Sequence, residues 1–257
     1  MNNIIALPAF KDNYIWALHS LDGTEVIVVD PVDPKVVFDY LQKNKLKLSA
    51  ILVTHHHWDH SGGVRALVDH FDSVSAYGPI GEKVDGIKHF VSEGDEIVFP
   101  SFQLTLKVLE IPGHTLGHVA YFNEDILFCG DTLFSCGCGR VFEGTAQQMV
   151  TSLNKLKALS PRTMMYCGHE YTLANIHFAQ NVEPHNKALK NRRILVEDLR
   201  HRDLPSLPIS MGEERKTNPF LRCEEPEVID SVQKYAKISL NDPISVFAHL
   251  RQWKNEF

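Results

Sequence analysis

The chain has 257 residues, 44% of them hydrophobic and 23% charged, with a formal net charge of −6. That is the composition of a folded globular protein with enough chain for one large domain or two smaller ones. It excludes a global basic field for nucleic acid, and no apolar run approaches the roughly 20 residues of a membrane-spanning helix. The opening Met1-Asn2-Asn3-Ile4-Ile5 has neither the basic start nor the long apolar run of a secretory leader. Five cysteines without framework spacing fit reduced thiols, so a cytoplasmic location is expected.

In chain order, residues 3–8, 14–19 and 25–30 are short, apolar and rich in β-formers, which predicts consecutive strands. Residues 34–43 carry Val36, Val37, Tyr40 and Leu41 on one helical face. Residues 48–53 form a continuous apolar run, read as a buried strand, and Gly62-Gly63 opens a helix over 64–71. Strands are expected over 74–77, 97–99, 102–111, 118–122, 126–128 and 163–167, with a helix over 145–159. After Tyr171 the pattern becomes helical: 173–182, 186–203, 226–237 and 242–254, with the proline-containing stretch 204–222 read as irregular chain. The expected division is an α/β unit over 1–172 and a helical unit over 173–257.

The chemistry concentrates after the strand at 48–53, in Thr54-His55-His56-His57-Trp58-Asp59-His60. His55, His57, Asp59 and His60 are too many metal-capable groups to share one ion comfortably. In extended chain His55 and His57 point the same way, and a turn after them would present Asp59 and His60 to a second ion nearby. A binuclear site of this kind usually serves hydrolysis. Three later positions repeat one arrangement, a metal-capable residue directly after glycine at a strand end: His114, Asp131 and His169. Strand-end loops are where α/β folds gather catalytic groups.

The ligand set is then His55, His57, Asp59, His60, His114, Asp131 and His169. Nitrogen and carboxylate donors without thiolate suit zinc, iron or manganese, and Asp131, with two carboxylate oxygens, could bridge the ions. Water between two cations would lose a proton near neutral pH and become a nucleophile. A lone histidine after a strand is more often a core or surface residue, so His114 and His169 gain weight only beside the dense 54–60 cluster. His56 and Trp58 have the opposite parity and read as orienting or packing residues. Thr54 is expected to hydrogen-bond a ligand from behind, and His118 to be structural or to support a ligand. Cys136-Gly137-Cys138 is too tightly spaced for an ordinary zinc pair and reads as a glycine-rich turn with incidental thiols.

The four metal motifs, residues 54–60, Gly113-His114-Thr115, Gly130-Asp131-Thr132 and Gly168-His169, resemble those of the metallo-β-lactamase fold. That resemblance implies an α+β, four-layer αββα sandwich with the metals at one edge of its two sheets. Gly137-Cys138-Gly139-Arg140-Val141-Phe142-Glu143-Gly144-Thr145, Gly168-His169-Glu170-Tyr171-Thr172, Val182-Glu183-Pro184 and Thr217-Asn218-Pro219-Phe220-Leu221-Arg222 are similar to glyoxalase II, the hydroxyacylglutathione hydrolases, over essentially the whole chain. The resemblance implies hydrolysis of S-D-lactoylglutathione to D-lactate and glutathione, the second step of methylglyoxal detoxification, by two divalent metal ions, foremost Zn2+.

It further assigns His55, His57 and His114 to one ion and Asp59, His60 and His169 to the other, with Asp131 bridging. Arg140, Phe142, Tyr171, Arg251 and Lys254 are matched to a glutathione site. Phe142 stands where relatives often carry Tyr, which removes a hydroxyl, and Arg140 replaces a Lys of some relatives. By spacing alone, Arg251 and Lys254 share a helix face and read as a solvated cationic helix end. The chain is expected to act as a monomer on a small-molecule thioester, without nucleic acid or membrane partners. The competing readings are a β-lactam hydrolase, a persulfide dioxygenase, a tRNA-processing nuclease and a non-catalytic glutathione- or metal-binding protein.

Overall fold

A computed structural model describes residues 3–257; Met1 and Asn2, part of the opening discussed above, lie outside the described residues. The first sheet is built from β1 (Ile4–Ala9), β2 (Asn13–His19), β3 (Glu25–Val29), β4 (Lys47–Leu52), β5 (Ser75–Pro79) and β6 (His89–Val91), in that order across the sheet. Its first three strands pair antiparallel and the rest parallel. The chain continues through β7 (Glu96–Phe99), β8 (Leu104–Glu110), β9 (Val119–Phe122), β10 (Ile126–Gly130), a small hairpin of β11 (Leu133–Phe134) and β12 (Gly137–Cys138), then β13 (Met164–Cys167) and β14 (Ile209–Ser210). Six of these form the second sheet, in the order β14-β13-β10-β9-β8-β7, parallel only between β10 and β13.

Strand parity decides the layers, because alternate side chains face opposite sides of a sheet. Leu18, Ile27, Val29, Ala50 and Leu52 join one hydrophobic cluster with Leu106, Val108, Tyr121 and Phe128 of the second sheet. Ile15, Ala17, Val26, Val28 and Ile51 join another, with Val37 and Leu41 of α1 (Pro34–Asn44) and Val64 and Leu67 of α3 (Val64–His70), beyond the short α2 (Trp58–Ser61). Every residue of β10 is buried, as befits a strand covered on both faces. The first cluster extends through Met149, Leu153 and Leu156 of α4 (Ala146–Lys157) to the C-terminal helices. These are α5 (Thr172–Val182), α6 (Lys187–His201), α7 (Met211–Thr217), α8 (Pro226–Ala236) and α9 (Pro243–Glu256). The fold is an α+β sandwich.

Local chemistry sets the helix ends. Asp33 caps α1 with Pro34 in its first turn, Thr145 and Gln148 form a capping box on α4, and Asp242 caps α9 ahead of Pro243. The stretch 204–222 is more regular than its prolines imply. Ile209 and Ser210 pair with Met165 and Met164 of β13, and α7 begins on a Ser210 cap. That pairing joins segments far apart in sequence, so local composition does not show it. The sheets are bonded face to face by buried aromatic donors: Trp16 Nε1 to the Cys167 carbonyl at 2.9 Å and Tyr121 OH to the Val53 carbonyl at 2.8 Å.

Direction then places the site. β3 and β4 run parallel, as do β10 and β13, and β8 runs parallel to β10 because β9 is antiparallel to both. Their C-terminal ends gather at one edge of the sandwich. The edge is closed by backbone bonds between the sheets, Tyr14 N to Gly168 O at 2.8 Å and Val119 N to Thr54 O at 2.9 Å.

Candidate metal centre

The strand ends deliver all seven predicted ligands to this edge. His55, His57 and His114 form one group whose donor atoms lie within 4.8 Å of one another, and Asp59, His60 and His169 form a second. Asp131 lies between them: its oxygens are 3.2 Å from His60 Nε2, 3.4 Å from His169 Nε2 and 3.7 Å from His114 Nε2. The turn anticipated after His57 is the four-residue helix α2, which swings Asp59 and His60 out of the line of His55 and His57.

Hydrogen bonds from behind fix which ring nitrogen faces the site. His60 Nδ1 donates to Asp30 at 2.9 Å, His169 Nδ1 to Asp12 at 2.8 Å, and His114 Nδ1 to the carbonyl of Arg140 at 2.8 Å. His55 Nδ1 is 3.0 Å from Thr54 Oγ1, which in turn donates to Asp30. Each arrangement turns Nε2 inward. His118 accepts the Asp131 N–H at 3.2 Å and so supports a ligand. His56 bridges Glu82 at 3.1 Å and Glu143 at 3.3 Å, while Trp58 is exposed and stacked on Phe10.

The donors fit metal ions. His55 Nε2 is buried without a hydrogen-bond partner, and His60 Nε2 and Asp131 Oδ1 make no hydrogen bond and have only each other at 3.2 Å, a costly state unless a cation satisfies them. His57 Nδ1 and His114 Nε2 face each other at 3.0 Å. Burial pushes His55, His57 and His114 below the ordinary histidine range, into the neutral form that binds metal. In the second group burial opposes the charge on His60 and His169, but Asp131 and neighbouring carboxylates prevail, raising His169 to about 10. A hydrogen bond from His169 holds Asp59 down at about 2. Gly168 is needed for this approach: a Cβ there would lie 2.5 Å from both Asp131 Oδ1 and His60 Cε1.

A cavity of about 470 Å³ opens from these groups and reaches the C-terminal helices. All five residues expected at a substrate site line it: Arg140, Phe142, Tyr171, Arg251 and Lys254. The exposed Phe142 ring lies 5.2 Å from His114 and 5.8 Å from His57, and Tyr171 stacks on His169 at 4.7 Å. Arg251 is buried rather than solvated; it donates to the Cys138 carbonyl at 2.7 Å and sits 5.2 Å from the Phe220 ring centre. Lys254 donates to Asn175 and lies 5.8 Å from the ring centres of Phe178 and Phe220. Burial, then the Arg251 charge, lowers its ammonium to about 7.

Sequence reasoning missed the supporting carboxylates Asp12, Asp30 and Glu82, and Asn175 in the cavity. Asp30 offered one faint signal, an acidic residue ending an apolar strand just before Pro31. It takes a left-handed φ of 52°, uncommon for a residue other than glycine.

Residues 13–169 match the family model of the metallo-beta-lactamase superfamily, and residues 170–257 that of the hydroxyacylglutathione hydrolase C-terminus. Among solved structures, ETHE1 from Myxococcus xanthus aligns with a TM-score of 0.65 at 23% identity, covering 99% of this chain and 98% of that one. The BLEG-1 B3 metallo-beta-lactamase aligns with a TM-score of 0.62 at 24% identity, covering 86% and 99%. At that identity they share the fold. Two sheets with histidines and aspartates collected at a common edge thus define a metal-dependent hydrolase of the metallo-β-lactamase superfamily. Hydroxyacylglutathione hydrolase of Nitrosomonas europaea is 49% identical over all of this chain and 97% of its own length. Hydroxyacylglutathione hydrolase 2 of Vibrio vulnificus is 50% identical over the full length of both. The chain belongs to the hydroxyacylglutathione hydrolase family.

Proposed function

We propose that the chain hydrolyses S-2-hydroxyacylglutathione thioesters, S-D-lactoylglutathione foremost, to the 2-hydroxy acid and glutathione. The observation that carries this reading is the single cavity joining the two ligand groups to the Arg251 and Lys254 pair. His55, His57 and His114 would hold one divalent cation, Asp59, His60 and His169 a second, and Asp131 both; zinc suits these donors best, with iron or manganese as substitutes. Bound there, the ions supply an activated water and polarise a thioester carbonyl.

The chain's own residues do the rest. Glutathione carries two carboxylates, and Arg251, Lys254 and Arg140 are the cations that line the cavity to receive them. Phe142 and Tyr171 flank the ligand histidines and limit water around the reacting carbonyl. Asp59 is held charged by His169, which suits a ligand and makes it a weak base. Glutathione thiolate, with a pKa near that of free cysteine (~8.5), leaves without a nucleophilic side chain. The reading treats 1–172 as the catalytic part and 173–257 as the part that grips glutathione, with the chain acting as a monomer. Among the described residues no helix is long and apolar enough to cross a membrane. A cytoplasmic location is proposed from the five cysteines without framework spacing.

Metal analysis coupled to a panel of glutathione thioesters tests the reading. Two metal equivalents per chain with loss of thioester absorbance and release of glutathione are expected. One equivalent with oxygen uptake, or metal binding without turnover, would refute it.

A further inference from the structure

Glu82 lies in the loop after β5, and its side chain is only 2% exposed. One oxygen accepts the backbone N–H of His56 and lies 3.1 Å from that residue's ring Nδ1. The other accepts the Thr115 hydroxyl and, at 3.1 Å, the backbone N–H of Gly117. His56 stands between His55 and His57, and Thr115 follows His114. A single buried carboxylate therefore bonds the two loops that carry the first ligand group, and touches no residue of the second.

A second observation shows that the approach is built in. A Cβ on Gly117 would fall 2.5 Å from Glu82 Cγ and 2.8 Å from the Gly81 carbonyl carbon, so only glycine lets the two loops meet. The second group is held differently, by carboxylates placed directly on ligand rings: Asp30 on His60 and Asp12 on His169. His55 reaches Asp30 through Thr54, and among the described residues no carboxylate is hydrogen-bonded to the His57 ring, the nearby Glu143 lying within 4.8 Å of it.

We propose that Glu82 is a positioning residue that sets the spacing of His55, His57 and His114 through the backbone of their two loops. This rests on the reading that those three side chains hold a metal ion. Three hydrogen-bond donors converge on an acceptor with no hydrogen of its own, with the His56 ring nitrogen 3.1 Å away. An amide in its place would turn an N–H toward another N–H or the hydroxyl, opening one side of the bridge. The ligands are then free to drift apart, and affinity for an ion shared by three imidazoles falls. Losing such a partner behind a ligand costs about 10–100-fold in metal affinity.

The test is titration of metal-free wild-type protein and Glu82→Gln with Co2+, followed by its visible absorption and by chelator competition, with a thermal melt of each. Wild type should take up two equivalents. In Glu82→Gln one equivalent should weaken about 10–100-fold while the other is unchanged. KM for a glutathione thioester at saturating metal should also stay the same. Thr115→Val, which keeps shape and removes one donor, should weaken the same equivalent by less. Unchanged affinities in both variants, or equal weakening of both equivalents with a lowered melting temperature, would overturn the proposal and leave the metal centre standing. Failure of wild type to bind two equivalents would instead refute the reading beneath it.

Discussion

The grip on the substrate should weaken as pH rises through neutrality, and Lys254 is the reason. Its ammonium is enclosed by the Phe178 and Phe220 rings, next to Arg251, and among the described residues it is paired with no carboxylate. Burial and the neighbouring guanidinium lower it to about 7, so in the free protein the cation persists below that pH and is lost above it. A carboxylate ligand binds the cation and restores its pKa, so binding takes up a proton above pH 7 and none well below it. If only the cationic form binds, the dissociation constant scales as one plus ten to the power of pH minus pKa. Between pH 6 and pH 8 that is about a tenfold loss of affinity.

The assay is the inhibition constant of a non-hydrolysable S-alkylglutathione against pH, which separates binding from titrations that affect turnover. Lys254→Arg is the control, because a guanidinium stays charged throughout with a pKa above about 12. A flat profile in wild type, or the same slope in Lys254→Arg, would refute the reasoning. The first outcome would mean that the anion is held elsewhere, the second that another group titrates.

Other substitutions probe the supports of the site. Asp30→Ala strands the Thr54 donors and His60 Nδ1; metal affinity should fall about 10–100-fold by chelator competition, with roughly 3 kcal/mol lost in denaturant unfolding. Gly168→Ala forces Asp131 and His60 apart, so the folded protein should retain its circular dichroism but lose metal and turnover; full activity would contradict the close approach. Asn218→Ala removes donations to the Phe134 and Gly137 carbonyls and to Glu214, and should cost about 1–3 kcal/mol and raise KM by loosening β11 and β12. Unchanged stability would show that those bonds are replaced by water.

The candidate ligands were legible because their chemistry is concentrated. Four metal-capable side chains in residues 54–60, behind an apolar strand, admit few other readings, and the others share one motif at strand ends. The layers were legible only through the resemblance of the metal motifs, since β2, β3 and β4 are covered on both faces and show little alternation. The supporting carboxylates were not legible. Asp12 and Glu82 look like ordinary loop acids and Asp30 like a strand end, and their partners lie 157, 26 to 35, and 24 to 30 residues away. Residues 204–222 hid their order because β14 exists only by pairing with β13. Arg251 illustrates the limit of spacing: three residues from Lys254 on a helix, it resembles surface charge until Phe220 and the Cys138 carbonyl enclose it.

Residues 131–142 touch both ends of the cavity through backbone carbonyls as well as through the side chains of Asp131, Arg140 and Phe142. Asp131 begins the stretch among the ligands, the Cys138 carbonyl receives Arg251, and the Arg140 carbonyl receives His114. The stretch doubles back through the β11–β12 hairpin, so two carbonyls only two residues apart, those of Cys138 and Arg140, meet the cationic end and the candidate metal centre. Inserting or deleting one residue would shift the carbonyls against their fixed partners and change the length of molecule the enzyme accepts.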